Sequence, residues 1–223
     1  MARFSRLEVA TELYRSGMMP LFYNPDLETC KAIVHACYDG GIRLMEFTNR
    51  GDFAHLVYGE LRQYLHKALP DMILGIGSVV DAGTSSLYIQ LGADFVVSPI
   101  LNQEMAIACN RRKVLWGPGC ATLSEINQAE EWGAELVKIF PAGQIGGPAF
   151  IKAVKGPCPW SSIMPTGGVA PTRENLTAWF SAGAACVGLG SKLVSKDIVE
   201  RKAWGELTSL VSDTIALIKE VRT

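Results

Sequence analysis

Short apolar runs alternate along the whole chain with longer stretches whose apolar positions recur every three to four residues. The runs at 18–23, 43–48, 72–76, 94–98, 114–117, 135–140, 162–166 and 184–188 are four to six residues long and read as buried strands. The stretches near 27–40, 52–68, 81–91, 102–110, 122–132, 147–155, 172–182 and 193–221 read as helices. Several carry start signals, with Asp26, Thr122 and Thr172 in N-cap positions. Several also end in a glycine before the next strand, at Gly40-Gly41, Gly92, Gly133 and Gly183.

Strands alternating with helices of this length predict βαβ units and a parallel sheet. Eight such units in about 200 residues, without a linker or a shift in composition, predict an α/β fold of the (β/α)8 TIM-barrel type. The barrel is expected to fill residues 1–223 as a single domain, with an extra N-terminal helix before residue 18 closing its bottom. An open doubly wound sheet is the structural rival. It usually announces itself with a Gly-rich turn after its first strand, and Phe22-Tyr-Asn-Pro-Asp is not one.

Composition narrows the function classes. Apolar residues make up 48% of the chain, enough for a sizeable core, and 21 basic against 22 acidic residues leave a formal charge of −1. That balance lacks the basic footprint of a nucleic-acid binder. No apolar run approaches the roughly 18 residues of a membrane span, and residues 1–10 lack the apolar segment of a secretory signal. A cytoplasmic protein without nucleic-acid or membrane partners is expected. The six cysteines form no CxxC pair and read as reduced core thiols. Of the three histidines only His55 has a carboxylate nearby, Asp52, so no metal site is expected.

In a barrel, catalytic groups stand at the C-terminal ends of strands. Of ten lysines only Lys138 is embedded in an apolar strand, Glu135-Leu-Val-Lys-Ile-Phe-Pro, where side-chain alternation puts it on one face with Leu136 and Phe140. A lysine amine set among apolar side chains is a nucleophile suited to attack a carbonyl and form an imine. Glu46, in Leu44-Met-Glu-Phe-Thr-Asn-Arg, shares a face with Leu44 and Thr48. It could pair with Lys138 for structure, or move protons during a reaction there. Both readings place it near Lys138. The turns after the seventh and eighth strands, Pro165-Thr-Gly-Gly-Val and Val187-Gly-Leu-Gly-Ser, stand where barrels often bind phosphate. Gly167, Gly168, Gly188, Gly190 and Ser191 are the candidates, against the plainer reading of ordinary tight turns. Arg50 offers a two-pronged donor for a carboxylate, which Ser78 could share, or it is simply a surface arginine.

These strand ends, taken together, resemble the 2-keto-3-deoxy-6-phosphogluconate (KDPG) and 4-hydroxy-2-oxoglutarate (KHG) aldolases. The resemblance rests on Met45-Glu-Phe-Thr-Asn-Arg, Gly75-Ile-Gly-Ser-Val, Val97-Ser-Pro, Gly117-Pro-Gly-Cys-Ala-Thr, Val137-Lys-Ile-Phe-Pro-Ala, Pro165-Thr-Gly-Gly-Val and Gly188-Leu-Gly-Ser, in the family's order over about residues 18–195. It implies a class I aldolase that forms pyruvate and glyceraldehyde 3-phosphate from a phosphorylated 2-keto-3-deoxy sugar acid, with no cofactor beyond a lysine imine, in a homotrimer of barrels. It further implies Lys138 as the imine lysine and Glu46 as its acid/base partner, with Arg50 and Ser78 on the pyruvyl carboxylate. Thr48, Pro99, Phe140 and Thr166 would line the substrate pocket. Gly119-Cys-Ala-Thr and Gly188-Leu-Gly-Ser resemble a galactonate branch, Thr48 and Pro165-Thr166 a gluconate branch, so both epimers stand as substrates. Asn49 and Ile100 depart from residues common in the family. Two other classes stay open on fold alone: another phosphate-using barrel enzyme, such as a synthase of the thiamine or tryptophan pathways, and a non-catalytic sugar-phosphate binder.

Overall fold

In the computed structural model, which describes residues 2–222, each predicted apolar run supplies a strand and each periodic stretch a helix. The strands are β1 (Met18–Phe22), β2 (Leu44–Thr48), β3 (Ile73–Gly77), β4 (Phe95–Val97), β5 (Leu115–Gly117), β6 (Gly119–Cys120), β7 (Val137–Ile139), β8 (Ile163–Pro165) and β9 (Val187–Leu189). The helices are α1 (Arg6–Ser16), α2 (Leu27–Asp39), α3 (Ala54–Ala68), α4 (Ala82–Gln90), α5 (Gln103–Arg112), α6 (Leu123–Glu131), α7 (Gly147–Lys155), α8 (Arg173–Ser181), α9 (Lys196–Glu200) and α10 (Trp204–Val221). Asp26, Thr122 and Thr172 cap α2, α6 and α8, each side chain accepting from the backbone N–H three residues on. At Thr122 the capping box is complete, because Glu125 reaches back to the Thr122 N–H.

Two predicted elements are each broken in two. The fifth strand extends past 117 but is split into β5 and β6 by Pro118, which has no N–H to give to a ladder. The long final helix begins later than its apolar pattern suggests. After α9 the backbone turns left-handed at Lys202, whose φ is 53°, and restarts as α10.

All ladders are parallel. One sheet runs β5-β4-β3-β2-β1-β9 and another β6-β7-β8, and a parallel bridge between Thr166 and Gly188 joins β8 to β9. The result is an α/β fold on a parallel sheet, with helices interleaved between strands along the chain.

The buried apolar residues fall into two groups, and strand alternation decides which residue joins which. Met45, Phe47, Val137 and Ile139 pack outward into the large core shared with the helices. Met19, Leu44, Ile73, Phe95, Leu115, Leu136, Met164 and Cys186 point the other way, into one inner cluster drawn from strands across both sheets. Val9 and Leu13 of α1 complete that cluster at the strand starts. The segment before α1 is tied down by Asp94, which is fully buried. Asp94 pairs with Arg62 at 2.9 Å and accepts from the N–H groups of Leu74 and Arg3 at 3.0 and 2.8 Å. Among the described residues no helix is long and apolar enough to cross a membrane.

Candidate active site

The inner faces of the strands change character two residues past their apolar starts. Beyond Leu44 on β2 comes Glu46, and beyond Leu136, just before β7, comes Lys138. Both therefore point inward, with their side chains 1% and 6% exposed. Strands β2 and β7 belong to different sheets and are not ladder neighbours, so the two residues meet across the interior. Lys138 Nζ lies 4.0 Å from Glu46 Oε2, close enough for strong attraction but too long for a hydrogen bond. Glu46 Oε2 accepts no hydrogen bond among the described residues.

Glycine makes this placement possible. A Cβ at Gly77, on the neighbouring strand, would stand 1.7 Å from Glu46 Oε1 and 2.8 Å from its Cγ. Any side chain there would drive the carboxylate out of its position. Burial raises the Glu46 carboxyl above the ordinary carboxylate range, and the nearby positive charges of Lys138 and Arg50 only partly offset it. A carboxyl moved towards neutrality, with an unused oxygen facing an amine, is suited to passing a proton in either direction. The Lys138 ammonium also lies 5.3 Å from the centre of the Phe140 ring, two residues along the same strand face.

A cavity of about 700 Å³ opens beside this pair. Of the predicted site residues, Arg50, Phe140, Thr166, Gly167, Gly168, Gly188, Gly190 and Ser191 line it. The two glycine turns thus come to one wall, and the Thr166–Gly188 bridge holds them together. Both Gly167 and Gly168 are left-handed, with φ of 88° and 84°, a backbone conformation that side-chain-bearing residues rarely adopt. Thr166 is buried against Gly188, where a Cβ would stand 2.3 Å from its hydroxyl, and that hydroxyl has no partner among the described residues.

Other predicted residues lie outside the cavity wall. Lys138 and Glu46 themselves do not line it; Lys138 adjoins it through Phe140. The Thr48 hydroxyl donates to the Phe22 carbonyl at 3.2 Å, so it is spent on holding β2 to β1. Pro99 packs on Gly119, the ladder partner of Lys138. The Ser78 and Arg50 loops are linked by the Asn49 N–H donating to the Gly77 carbonyl at 2.8 Å. Ser78 holds a left-handed backbone, φ 59°, unusual for a residue other than glycine. Asn49 also accepts from the Tyr88 hydroxyl at 2.8 Å, which fixes the start of the Arg50 loop.

The structure adds Tyr23, Asn24, Lys192, Lys196 and Glu200 to the cavity wall. Tyr23 and Asn24 follow β1 and were open to the same strand-end rule that found Arg50. Lys192 stands in the turn after β9 beside Ser191, whereas Lys196 and Glu200 belong to α9, which the apolar periodicity had merged with α10. Among the described residues no group of three or more His, Cys, Asp or Glu side chains could hold a metal ion. Five of the six cysteines are buried, and Cys158 is half-buried.

Comparison with known proteins adds sequence and fold evidence to this geometry. A family model described as KDPG and KHG aldolase matches residues 9–210. A 2-dehydro-3-deoxy-phosphogluconate aldolase of Pseudoalteromonas atlantica is 31% identical over 200 residues, covering 89% of this chain and 90% of its own. The crystal structure of a KDPG aldolase from Legionella pneumophila, with pyruvate captured as a covalent carbinolamine intermediate, superimposes with a TM-score of 0.83 at 28% identity. It covers 91% of this chain and 96% of its own. A structure described as native KDPGal gives a TM-score of 0.80 at 26% identity, covering 92% and 95%.

Proposed function

The chain belongs to the KDPG and KHG aldolase family, and from that premise we propose that it cleaves 2-keto-3-deoxy-6-phosphogluconate through an imine on Lys138. The protein is an aldolase, a carbon–carbon lyase. The observation that carries the residue assignment is the inward-facing Lys138 amine, buried in a strand and 4.0 Å from a carboxylate oxygen that accepts no hydrogen bond among the described residues.

In this mechanism the Glu46 carboxylate takes a proton from the Lys138 ammonium, the freed amine adds to the C2 ketone, and Glu46 returns the proton with which the carbinolamine oxygen leaves as water. The iminium draws electrons from the C3–C4 bond. Glu46, now a carboxylate, takes the C4 hydroxyl proton as that bond breaks, releasing glyceraldehyde 3-phosphate. The enamine left on Lys138 is protonated at C3 and hydrolysed to pyruvate, restoring the amine. No step requires a metal or an organic cofactor. Arg50 and Ser78 hold the pyruvyl carboxylate. Thr48, Pro99, Phe140 and Thr166 enclose the reacting carbons. The phosphate sits against Gly167, Gly168, Gly188, Gly190 and Ser191, where flexible backbone permits close approach of N–H donors to an anion.

The same reading takes the strands as one closed (β/α)8 barrel in a single domain over residues 1–223. Two features support it: only Pro118 separates β5 from β6, and the Thr166–Gly188 bridge joins β8 to β9. The packing of Val9 and Leu13 against the strand starts supports α1 as the extra N-terminal helix across the barrel's lower mouth. A homotrimer in the cytoplasm is the expected working form. The galactonate epimer is the second reading for substrate, favoured by Gly119-Cys120 and Gly188-Leu-Gly-Ser, and 4-hydroxy-2-oxoglutarate is a further candidate.

The deciding experiment is borohydride reduction in the presence of pyruvate, followed by peptide mass spectrometry of wild type and Lys138→Ala. An adduct on the Lys138 peptide that is missing from the variant is expected. A folded wild-type protein that yields no adduct would sink the imine reading. Initial rates with the two epimers then settle the substrate.

A further inference from the structure

The turn that follows β9 brings a charge into the cavity that the glycine-and-serine cradle does not account for. Gly190 accepts from the N–H groups of Leu193 and Val194 at 2.8 and 3.0 Å, which fixes a tight turn over 190–194. Leu193 is buried by that turn, while Ser191 and Lys192 stay exposed and face the cavity. Four charged side chains line the cavity: Arg50, Lys192, Lys196 and Glu200. Lys196 and Glu200 pair with each other at 3.4 Å and largely cancel. Among the described residues neither Arg50 nor Lys192 makes an ion pair. The cavity therefore presents two uncommitted positive charges, one after β2 and one after β9.

We infer that Lys192 is a specificity residue, a cation that balances the phosphate of a phosphorylated substrate and so sets the preference for it over unphosphorylated keto acids. The inference rests on the aldolase reading for the identity of the substrate. Its physical basis is charge. A phosphate monoester carries about −1.5 to −2 near neutral pH. Backbone N–H groups and the Ser191 hydroxyl are neutral donors, so they orient the anion without compensating it. With Arg50 committed to the carboxylate at the other end, Lys192 is the uncommitted cation beside the glycine turns. A lysine serves as a mobile point charge for phosphate and does not need the fixed two-pronged geometry of arginine. Its four-carbon stem and exposed position let the ammonium follow the anion as it enters.

The test compares wild type, Lys192→Met and Lys192→Arg. Inorganic phosphate binding to the resting protein is measured by calorimetry. In parallel, kcat/KM is measured for 2-keto-3-deoxy-6-phosphogluconate and for 4-hydroxy-2-oxoglutarate, which has no phosphate. Lys192→Met is expected to weaken phosphate binding about tenfold and to lower the ratio of the two kcat/KM values by a similar factor, through KM for the phosphorylated substrate. Lys192→Arg is expected to restore most of both. Raising ionic strength should shrink the difference between wild type and Lys192→Met, because the site is open to solvent. Equal phosphate affinity in wild type and Lys192→Met overturns the inference, as does a wild type that binds no phosphate or an equal loss on both substrates. A wild type that cleaves neither substrate defeats the aldolase reading instead, and the phosphate titration still decides the role of Lys192.

Discussion

The lower and upper halves of the strand interior are built from the same strands, two residues apart, and they do opposite things. In the lower half Leu44, Ile73, Phe95, Leu115, Leu136 and Met164 fill the space with apolar bulk. In the upper half the same strands carry Glu46, Gly75, Val97, Gly117, Lys138 and Thr166. Polar groups and glycines have replaced most of the filling. The lower half contributes stability, since each buried side chain there is removed from water and densely packed. The upper half gives up some of that stability, leaving Glu46 and Thr166 with polar atoms that lack partners among the described residues. Such atoms are costly in a core, and a substrate that supplies their missing contacts recovers the cost on binding. One scaffold therefore carries both a packed plug and a reactive layer, and only the side-chain inventory separates them.

The contrast can be broken from either side. Replacing Lys138 with Ala should remove the nucleophile and lower activity by at least about 10⁴-fold, with the fold kept, as read by turnover and circular dichroism. Glu46→Gln keeps the shape but cannot take a proton, and kcat should fall about 10²- to 10⁴-fold. Its pH profile sharpens the point. Burial raises the Glu46 carboxyl above its ordinary 4.5, so the carboxylate is lost as pH falls through that raised value. The wild-type acid limb should therefore lie above pH 4.5 and vanish in Glu46→Gln; an unchanged limb would assign the base elsewhere.

Gly77→Ala adds a methyl where the Glu46 carboxylate now stands, so it should displace the acid/base group without adding or removing charge. Activity is expected to fall about 10²-fold, the usual consequence of misplacing a catalytic group by about an ångström. In the lower half, Leu136→Ala should have the reverse signature. Chemical denaturation should show about 2–5 kcal/mol lost, while the folded fraction keeps a near-normal kcat. A large kcat defect there would mean the two layers are not independent.

The smallest effect concerns the cysteines, which no step of the mechanism uses. Burial pushes the thiols of Cys37, Cys109, Cys120 and Cys186 up to about 12, and that of Cys30 likewise, with Asp26 adding to it at Cys30. At pH 8 only about one thiol in 10⁴ would be ionised, so these five should resist a thiol reagent until the protein unfolds. Cys158, half-buried, should react first.

The elements were legible because their causes are local. Period-two and period-3.6 patterns, the Asp26, Thr122 and Thr172 caps and the glycine stops each act over a few residues, so the chain carries them openly. Lys138 and Glu46 were legible for a related reason, since a charged residue inside an apolar strand is anomalous wherever the strand ends up. The split at Lys202 was hidden because the apolar periodicity runs on through it, and with α9 went Lys196 and Glu200. Ser78 and Arg50 were paired by resemblance, and only the structure shows how their loops are tied, through the Asn49 N–H and the Gly77 carbonyl. Which carbonyl the Thr48 hydroxyl reaches, here that of Phe22, depends on what the neighbouring strand presents.

By itself the sequence determined which segments form strands and helices, which strand faces are apolar, and which few residues break those faces with charge or glycine. Tertiary structure alone decided that Glu46 and Lys138 meet at 4.0 Å, that Gly77 gives Glu46 its room, and that two glycine turns and Lys192 share one cavity. The reason is range: local propensity is set by neighbours in the chain, whereas a distance between strands 92 positions apart is set by the register and twist of every strand packed between them.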